Sequence, residues 1–363
     1  MSALFEHGGN NAAVADELGC RPEDLLDASA SLSPWLIPRA LLRRVSKRAW
    51  RDYPDPLCVR LRELIADCFG LSAEQVIAGN GAAELFTWAA RDAAESGISL
   101  VPVPGFADHL RALRCWSAET QFVPLPLHFN SSAQAFPSAL PLGDVLWITN
   151  PHNPTGQLWT KASLEKLLTR FRLVICDEAF LPLVPNGEEQ SLIPLVARSP
   201  NLVVIRSLTK LYAMAGLRLG FAIAHPDRLN RWLGWRDPWP VNGIAAAVAE
   251  QLLVEPNAYK RWCIKTQHWT SVEGKWLFKN LAKLTGIRPM PSAANFLLIK
   301  GNVSLVQLRE ALAFNHYILL RDCRSFAGLD ETWLRIGYQT RRNNRRILRA
   351  IEQELMAAPL LSG

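Results

Sequence analysis

The sequence predicts an α/β protein with a large domain on a mostly parallel sheet and a smaller α+β domain after it. Three features carry that expectation. Between about residues 50 and 235, short apolar, β-branched runs alternate with stretches of helical period. After Pro238 and Pro240 the pattern becomes long and helical through Lys283. It then returns as strand, helix, two strands and a last helix from Arg341, enough for a second sheet with its own cover. The boundaries read as an arm over residues 1–48 that contributes to the small domain, a large domain over 49–240, and interdomain helices with the small domain over 241–363.

Taken in order, the expected strands of the large domain are 75–78 (QVIA), 98–103 (ISLVPV), 145–149 (VLWIT), 173–176 (LVIC), 203–207 (VVIRS) and 221–224 (FAIA). Helices are expected over 82–94, 108–115 and 161–171, with a shorter one over 215–219. The stretch 124–141, rich in Pro, Ser and Ala, reads as a surface connection. In the second part the expected strands are 295–299, 317–321 and 333–338, with a helix over 303–314.

Composition narrows the function classes. With 363 residues, 49% hydrophobic and 20% charged, the chain is ordinary for a globular protein with a sizeable core. The 40 Lys+Arg exceed 33 Asp+Glu, giving +7. The arginines gather at 43–51 and 341–346 without an interleaved aromatic stripe, which disfavours nucleic acid and suits an anionic small substrate. Seven scattered cysteines, none spaced C-x-x-C, indicate neither a disulfide framework nor a zinc site, and a reducing compartment. No leader-like start and no run of eighteen apolar residues is found, so a cytoplasmic location without membrane contact is expected.

In parallel sheets ligands bind beyond the carboxyl ends of the strands, so the residues there are the candidates for chemistry. After the first strand "GNGAAELF" (79–86) turns tightly into a helix whose first N–H groups can take a phosphate, although such a turn is often only a turn. After the second, "PVPGFADH" offers Phe106, as core filler or as a platform for a flat ring. After the third, "TNPHNPTG" (149–156) holds Asn153, with its amide free for a ligand oxygen or engaged in an Asx turn. After the fourth, "VICDEAF" places Asp177 where a buried carboxylate needs a cation, either an arginine or a heteroaromatic N–H⁺. After the fifth come Ser207, Lys210 and, further on, Arg218. A hydroxyl and a guanidinium suit a phosphate.

One ligand accounts for all five strand ends: pyridoxal 5′-phosphate joined as a Schiff base to Lys210, with an acidic residue on its pyridine nitrogen. The order G-N-G-A, P-G-F, N-P-T-G, D-E-A-F and S-L-T-K, with an arginine eight residues past the lysine, resembles the fold-type I pyridoxal-phosphate (aspartate aminotransferase-like) superfamily over nearly the whole chain. The resemblance implies that Lys210 carries the cofactor and shuttles protons, Asp177 pairs with the pyridinium, Asn153 bonds the ring oxygen and Phe106 stacks on the ring. Gly81, the Ala82 and Ala83 backbone, Ser207 and Arg218 would take the cofactor phosphate. Tyr53, in "YPDP", would reach the phosphate of a partner subunit's cofactor, which implies a homodimer. Arg335, in "WLRIGY", matches the arginine that clamps a substrate carboxylate, with Asn153 beside it. Phe180 stands where many members carry tyrosine, so one hydrogen bond to the ring oxygen is absent.

The ends of the chain carry a narrower likeness. "HGGN" (7–10), "LLDASASLSPWLIP", "YPDP", Phe180 and "LLRDCRSFAGLDETWLRIGYQTRRNN" (319–344) are similar to the threonine-phosphate decarboxylases of cobalamin biosynthesis, relatives of histidinol-phosphate aminotransferases. That likeness implies loss of the carboxylate from L-threonine O-3-phosphate to give (R)-1-amino-2-propanol O-2-phosphate. His7, Gly9, Asn10 and Arg321 would grip the substrate phosphate, with Arg324 at the rim. A histidinol-phosphate-type aminotransferase is the alternative. A ligand-sensing regulator is a rival of another class, and the pattern already under way by Asp27 leaves no room ahead of it for a winged helix. Intact Lys210, Asp177 and Arg218 argue against a pseudoenzyme. His109, His128, His152, His225, His268 and His316 show no metal-ligand spacing and are expected in structural or surface roles, with no metal. The thirteen tryptophans are expected at packing contacts.

Overall fold

Strands buried on both faces read as continuous apolar runs, and the large sheet is built from such runs. The computed structural model describes residues 8–357. Its strands are β1 (Val76–Asn80), β2 (Ser99–Val103), β3 (Thr120–Pro124), β4 (Val145–Thr149), β5 (Leu173–Asp177), β6 (Leu202–Ser207) and β7 (Leu219–Ile223). Their spatial order is β1-β7-β6-β5-β4-β2-β3. β7 runs antiparallel to both neighbours, and the other pairs are parallel. Side chains alternate between two core layers: Val145, Trp147, Leu173, Ile175, Val203 and Ile205 enter one, and Leu146, Ile148, Val174, Cys176, Leu202 and Val204 the other. Helices Gly81–Ser96 and Ala107–Cys115 cover the first layer, and Val59–Phe69 and Gly243–Leu253 the second.

The smaller sheet is antiparallel, ordered β8-β9-β11-β10 from β8 (Ile287–Pro289), β9 (Phe296–Gly301), β10 (Arg321–Asp322) and β11 (Trp333–Gly337). Its core also takes Leu26 and Ala28 from the N-terminal arm. Residues Leu26 and Asp27 pair in parallel with Ile318 and Leu319, so the arm is stitched to the far end of the chain. Among the described residues no helix is long and apolar enough to cross a membrane.

Several elements differ from the sequence expectation, each for a local reason. β3 was not foreseen: it lies at the sheet edge, pairs only with β2, and exposes four of its five residues, so it lacks an apolar signature. β8 is a second unforeseen edge strand. The helix expected over 215–219 is one 3₁₀ turn, Ala215–Leu217, because Leu219 already begins β7. The helix expected over 161–171 shortens to Lys161–Glu165 and tightens into a 3₁₀ segment, Lys166–Thr169. The strand expected over 317–321 divides in two, since Ile318–Leu319 pairs with the arm and β10 with β11.

Candidate active site

Strand parity decides which side chains reach the ligand. Continuing the alternation of β6 past Ile205 sends Arg206 toward the Leu202 and Val204 layer and Ser207 toward the opposite one. On β5, Asp177 shares the side of Leu173 and Ile175, and Glu178 falls on the other side. The two rejected residues meet each other: Arg206 lies 2.7 Å from Glu178 and 2.8 Å from Glu188. Burial pushes the Glu178 carboxyl above its ordinary range even so. The arginine adjacent to the site is thereby consumed, and no Lys or Arg among the described residues is paired with Asp177.

Asp177 and Ser207 instead line a cleft of about 330 Å³ at the carboxyl ends of the strands, together with Gly9, Ala82, Ala83, Phe106, Asn153, Lys210, Arg218, Arg321 and Arg335. Asp177 is 4% exposed; its Oδ1 accepts from the Ala179 N–H at 2.9 Å, and its Oδ2 lies 3.2 Å from His109 Nε2. The His109 ring sits between Phe86, Phe106 and Trp147, at centroid distances of 4.6, 5.5 and 5.2 Å. His109, expected in a structural or surface role, is buried and lies against Asp177. His109 follows Phe106 by three residues on one helical turn, a spacing from which a shared orientation was readable.

At the opposite end the chain is shaped for close approach. Gly81 adopts φ +73°, and a Cβ there would lie 2.7 Å from an Arg218 terminal nitrogen; a Cβ on Gly220 would lie 2.7 Å from the Ala82 nitrogen. The first N–H groups of helix Gly81–Ser96 have no partner within their helix and emerge beside Ala82 and Ala83 in the cleft wall. Ser207 Oγ accepts from the Thr209 N–H at 3.2 Å, and Arg218, in left-handed backbone, donates to the Ala215 carbonyl at 3.2 Å.

Lys210 lies between these ends. Its Nζ donates to the Ala30 carbonyl at 3.2 Å and stands 5.5 Å from the centre of the Phe180 ring. Burial, then the positive charges of Arg335 and Arg218, push the amine down to about 8. Ser33 N–H donates back to the Lys210 carbonyl at 3.0 Å, so residues 30–33 roof the lysine. The sequence reading assigned no role to this roof.

Arg335 donates to Asn153 Oδ1 at 2.5 Å and to the Ser29 carbonyl at 2.9 Å. Burial and the neighbouring charge of Arg321 lower it to about 9. Arg321 donates to Ser325 Oγ at 2.7 Å, and the Gly9 N–H donates to Ser29 Oγ at 3.2 Å. Asn10 lies outside this cleft, exposed beside a smaller recess that it shares with Gly9, Ser29 and Arg321. Arg324 is half-exposed and held by Asp322 at 2.6 Å. Tyr53 is also outside the cleft, 80% exposed, its ring centroid 4.5 Å from that of Trp239. His7 lies outside the described residues.

The residues present fit pyridoxal 5′-phosphate. A buried carboxylate with no Arg or Lys partner among the described residues suits a pyridinium, a glycine-lined helix start with Arg218 suits a phosphate, and an amine of lowered pKa lines the same space.

Comparison with known proteins agrees with this reading of the fold. The family model described as "Aminotransferase class I and II" matches residues 24–351. A threonine-phosphate decarboxylase from Salmonella typhimurium is 32% identical over 371 residues, covering 97% of this chain and 98% of the relative. A histidinol-phosphate aminotransferase from Symbiobacterium thermophilum is 32% identical over 325 residues, covering 88% of this chain and 87% of the relative. The crystal structure of L-threonine-O-3-phosphate decarboxylase from Porphyromonas gingivalis superposes with a TM-score of 0.80 at 25% identity, covering 92% of this chain and 100% of that one. The fold is the fold-type I pyridoxal-phosphate fold, and the chain belongs to the class I and II aminotransferase family.

Proposed function

We propose that this chain is a pyridoxal-phosphate-dependent decarboxylase that converts L-threonine O-3-phosphate to (R)-1-amino-2-propanol O-2-phosphate and carbon dioxide in cobalamin biosynthesis. The observation that carries this reading is the pair of buried arginines, Arg321 and Arg335, in the same cleft as Lys210, which suits a substrate with two anionic groups. The likeness to a threonine-phosphate decarboxylase over 97% of the chain supports it.

Asp177, backed by His109, would hold the cofactor's ring nitrogen, Asn153 its ring oxygen, and Phe106 its face. Gly81, the Ala82 and Ala83 N–H groups, Ser207 and Arg218 would hold its phosphate, and Lys210 its aldehyde. When bound, pyridoxal phosphate supplies an electron sink for a bond breaking at the substrate's α-carbon. The protein's task is to choose that bond. Arg335 binds the carboxylate, and Arg321 with Gly9 holds the phosphate, with Asn10 in the adjoining recess beside Arg321, so binding energy remote from the reacting carbon sets its orientation. The carbon–carboxylate bond breaks, carbon dioxide leaves, and Lys210 delivers a proton to the α-carbon. Burial lowers the amine from its ordinary range, which favours its exchanging a proton rather than remaining a fixed cation.

The reading includes a homodimer in which Tyr53, exposed on one protomer, reaches its partner's cofactor phosphate, and a cytoplasmic location consistent with seven free cysteines. Incubation with L-threonine O-3-phosphate, with carbon dioxide collected, tests the reaction. Release of carbon dioxide without consumption of an oxo acid supports it. Consumption of 2-oxoglutarate with histidinol phosphate, and no carbon dioxide from threonine phosphate, replaces it with the aminotransferase.

A further inference from the structure

Arg321 on β10 and Arg335 on β11 are direct cross-strand partners. Two like charges placed opposite each other repel, and here both side chains are 5% exposed. Both contact one ring, that of Phe326. Its ring centre lies 5.2 Å from the guanidinium carbon of Arg321 and 5.8 Å from that of Arg335. The ring is 1% exposed, fixed among Met290, Leu298, Cys323, Leu329 and Trp333, and it also borders the cleft. Arg335 has a second ring, Phe296, at 4.7 Å, and its Nε is buried without a hydrogen-bond partner. An aromatic face attracts each cation through its quadrupole without itself taking up an N–H group.

We propose that Phe326 is a specificity-determining positioning residue: by holding Arg321 and Arg335 against one buried ring it fixes the spacing of two anion sites, so the cleft prefers small substrates with a carboxylate and a phosphate or phosphonate over those with one anion. This rests on the reading above only in taking the two arginines as the receivers of substrate anions. The ring acts through the arginines.

The test is calorimetric titration of the cofactor-loaded protein with 3-phosphonopropanoate, which carries two anionic groups, and with propanoate, which carries one. Phe326→Leu removes the ring at similar volume and should weaken 3-phosphonopropanoate about tenfold while changing propanoate by less than about twofold. Phe326→Tyr keeps the ring and should bring 3-phosphonopropanoate back to within about twofold of the parent protein. Phe326→Met repeats the comparison should the leucine variant lose its fold or its cofactor. The proposal is overturned if a ringless variant leaves 3-phosphonopropanoate unchanged, if both probes weaken alike, if tyrosine does no better than leucine, or if the parent protein binds neither probe. No turnover is measured, so a parent protein that binds 3-phosphonopropanoate but releases no carbon dioxide loses the proposed reaction and keeps the anion spacing.

Discussion

A single amine whose pKa is drawn down toward neutrality sets the chemistry at the scale of one residue. Lys210 is pushed from 10.5 to about 8, by burial first and then by Arg335 and Arg218. A lysine attacks an aldehyde only as the free base, so covalent loading by pyridoxal phosphate should accelerate as pH rises through about 8, read by intact mass after borohydride reduction. Arg335→Leu removes one of the positive charges that lowers the amine, and the inflection should move to higher pH; an inflection that stays or falls removes the electrostatic account. Lys210→Ala should retain no covalent cofactor by the same measurement. The carboxylate end offers a second test. His109→Leu takes away the neighbour of Asp177 Oδ2 and should raise the cofactor's dissociation constant about tenfold, whereas His109→Gln, which keeps a donor, should lose less. Equal losses in the two variants would leave His109 as packing alone.

Single strands explain which residues reach the cleft and which part of the site could be read in advance. Asp177 and Ser207 project to one side of the large sheet, and their sequence neighbours Glu178 and Arg206 to the other, where they form a buried network with Glu188. Arg206→Met would strand that carboxylate pair and should cost about 3–5 kcal/mol in urea unfolding. Ser207 and the cleft are untouched, so the folded fraction should still bind cofactor; loss of binding at full folding would contradict the parity argument. The five strand ends were legible because each puts its chemistry within a few residues of an apolar run. The roof over Lys210 was not legible, because Ala30 and Lys210 are 180 residues apart and nothing in "DASASLS" marks a partner. His109 carries no metal-ligand spacing, and its place beside Asp177 is marked in sequence only by its position one helical turn after Phe106. Phe326 gave no signal, since the pairing of β10 with β11 that brings two arginines to one ring exists only in three dimensions.

For the whole molecule, the exposed Tyr53 and its neighbour Trp239 make the proposed dimer testable. Tyr53→Ala and Lys210→Ala should each depress carbon dioxide release alone, while mixed dimers should recover part of it, because one of their two sites then has an intact lysine and an intact partner tyrosine. Verified mixed dimers without recovery would place Tyr53 outside the shared site. The N-terminal arm has its own consequence. Its residues pair with Ile318 and Leu319, receive a hydrogen bond from Asn295, and meet Arg335 across a sequence separation of 306 residues. Loop closure over such a distance waits until the distant partners exist. During synthesis this arm emerges well before the strands it docks on and is therefore among the last pieces to dock, and the nascent chain holds its reactive amine open to solvent until the later sheet arrives to draw the cover across.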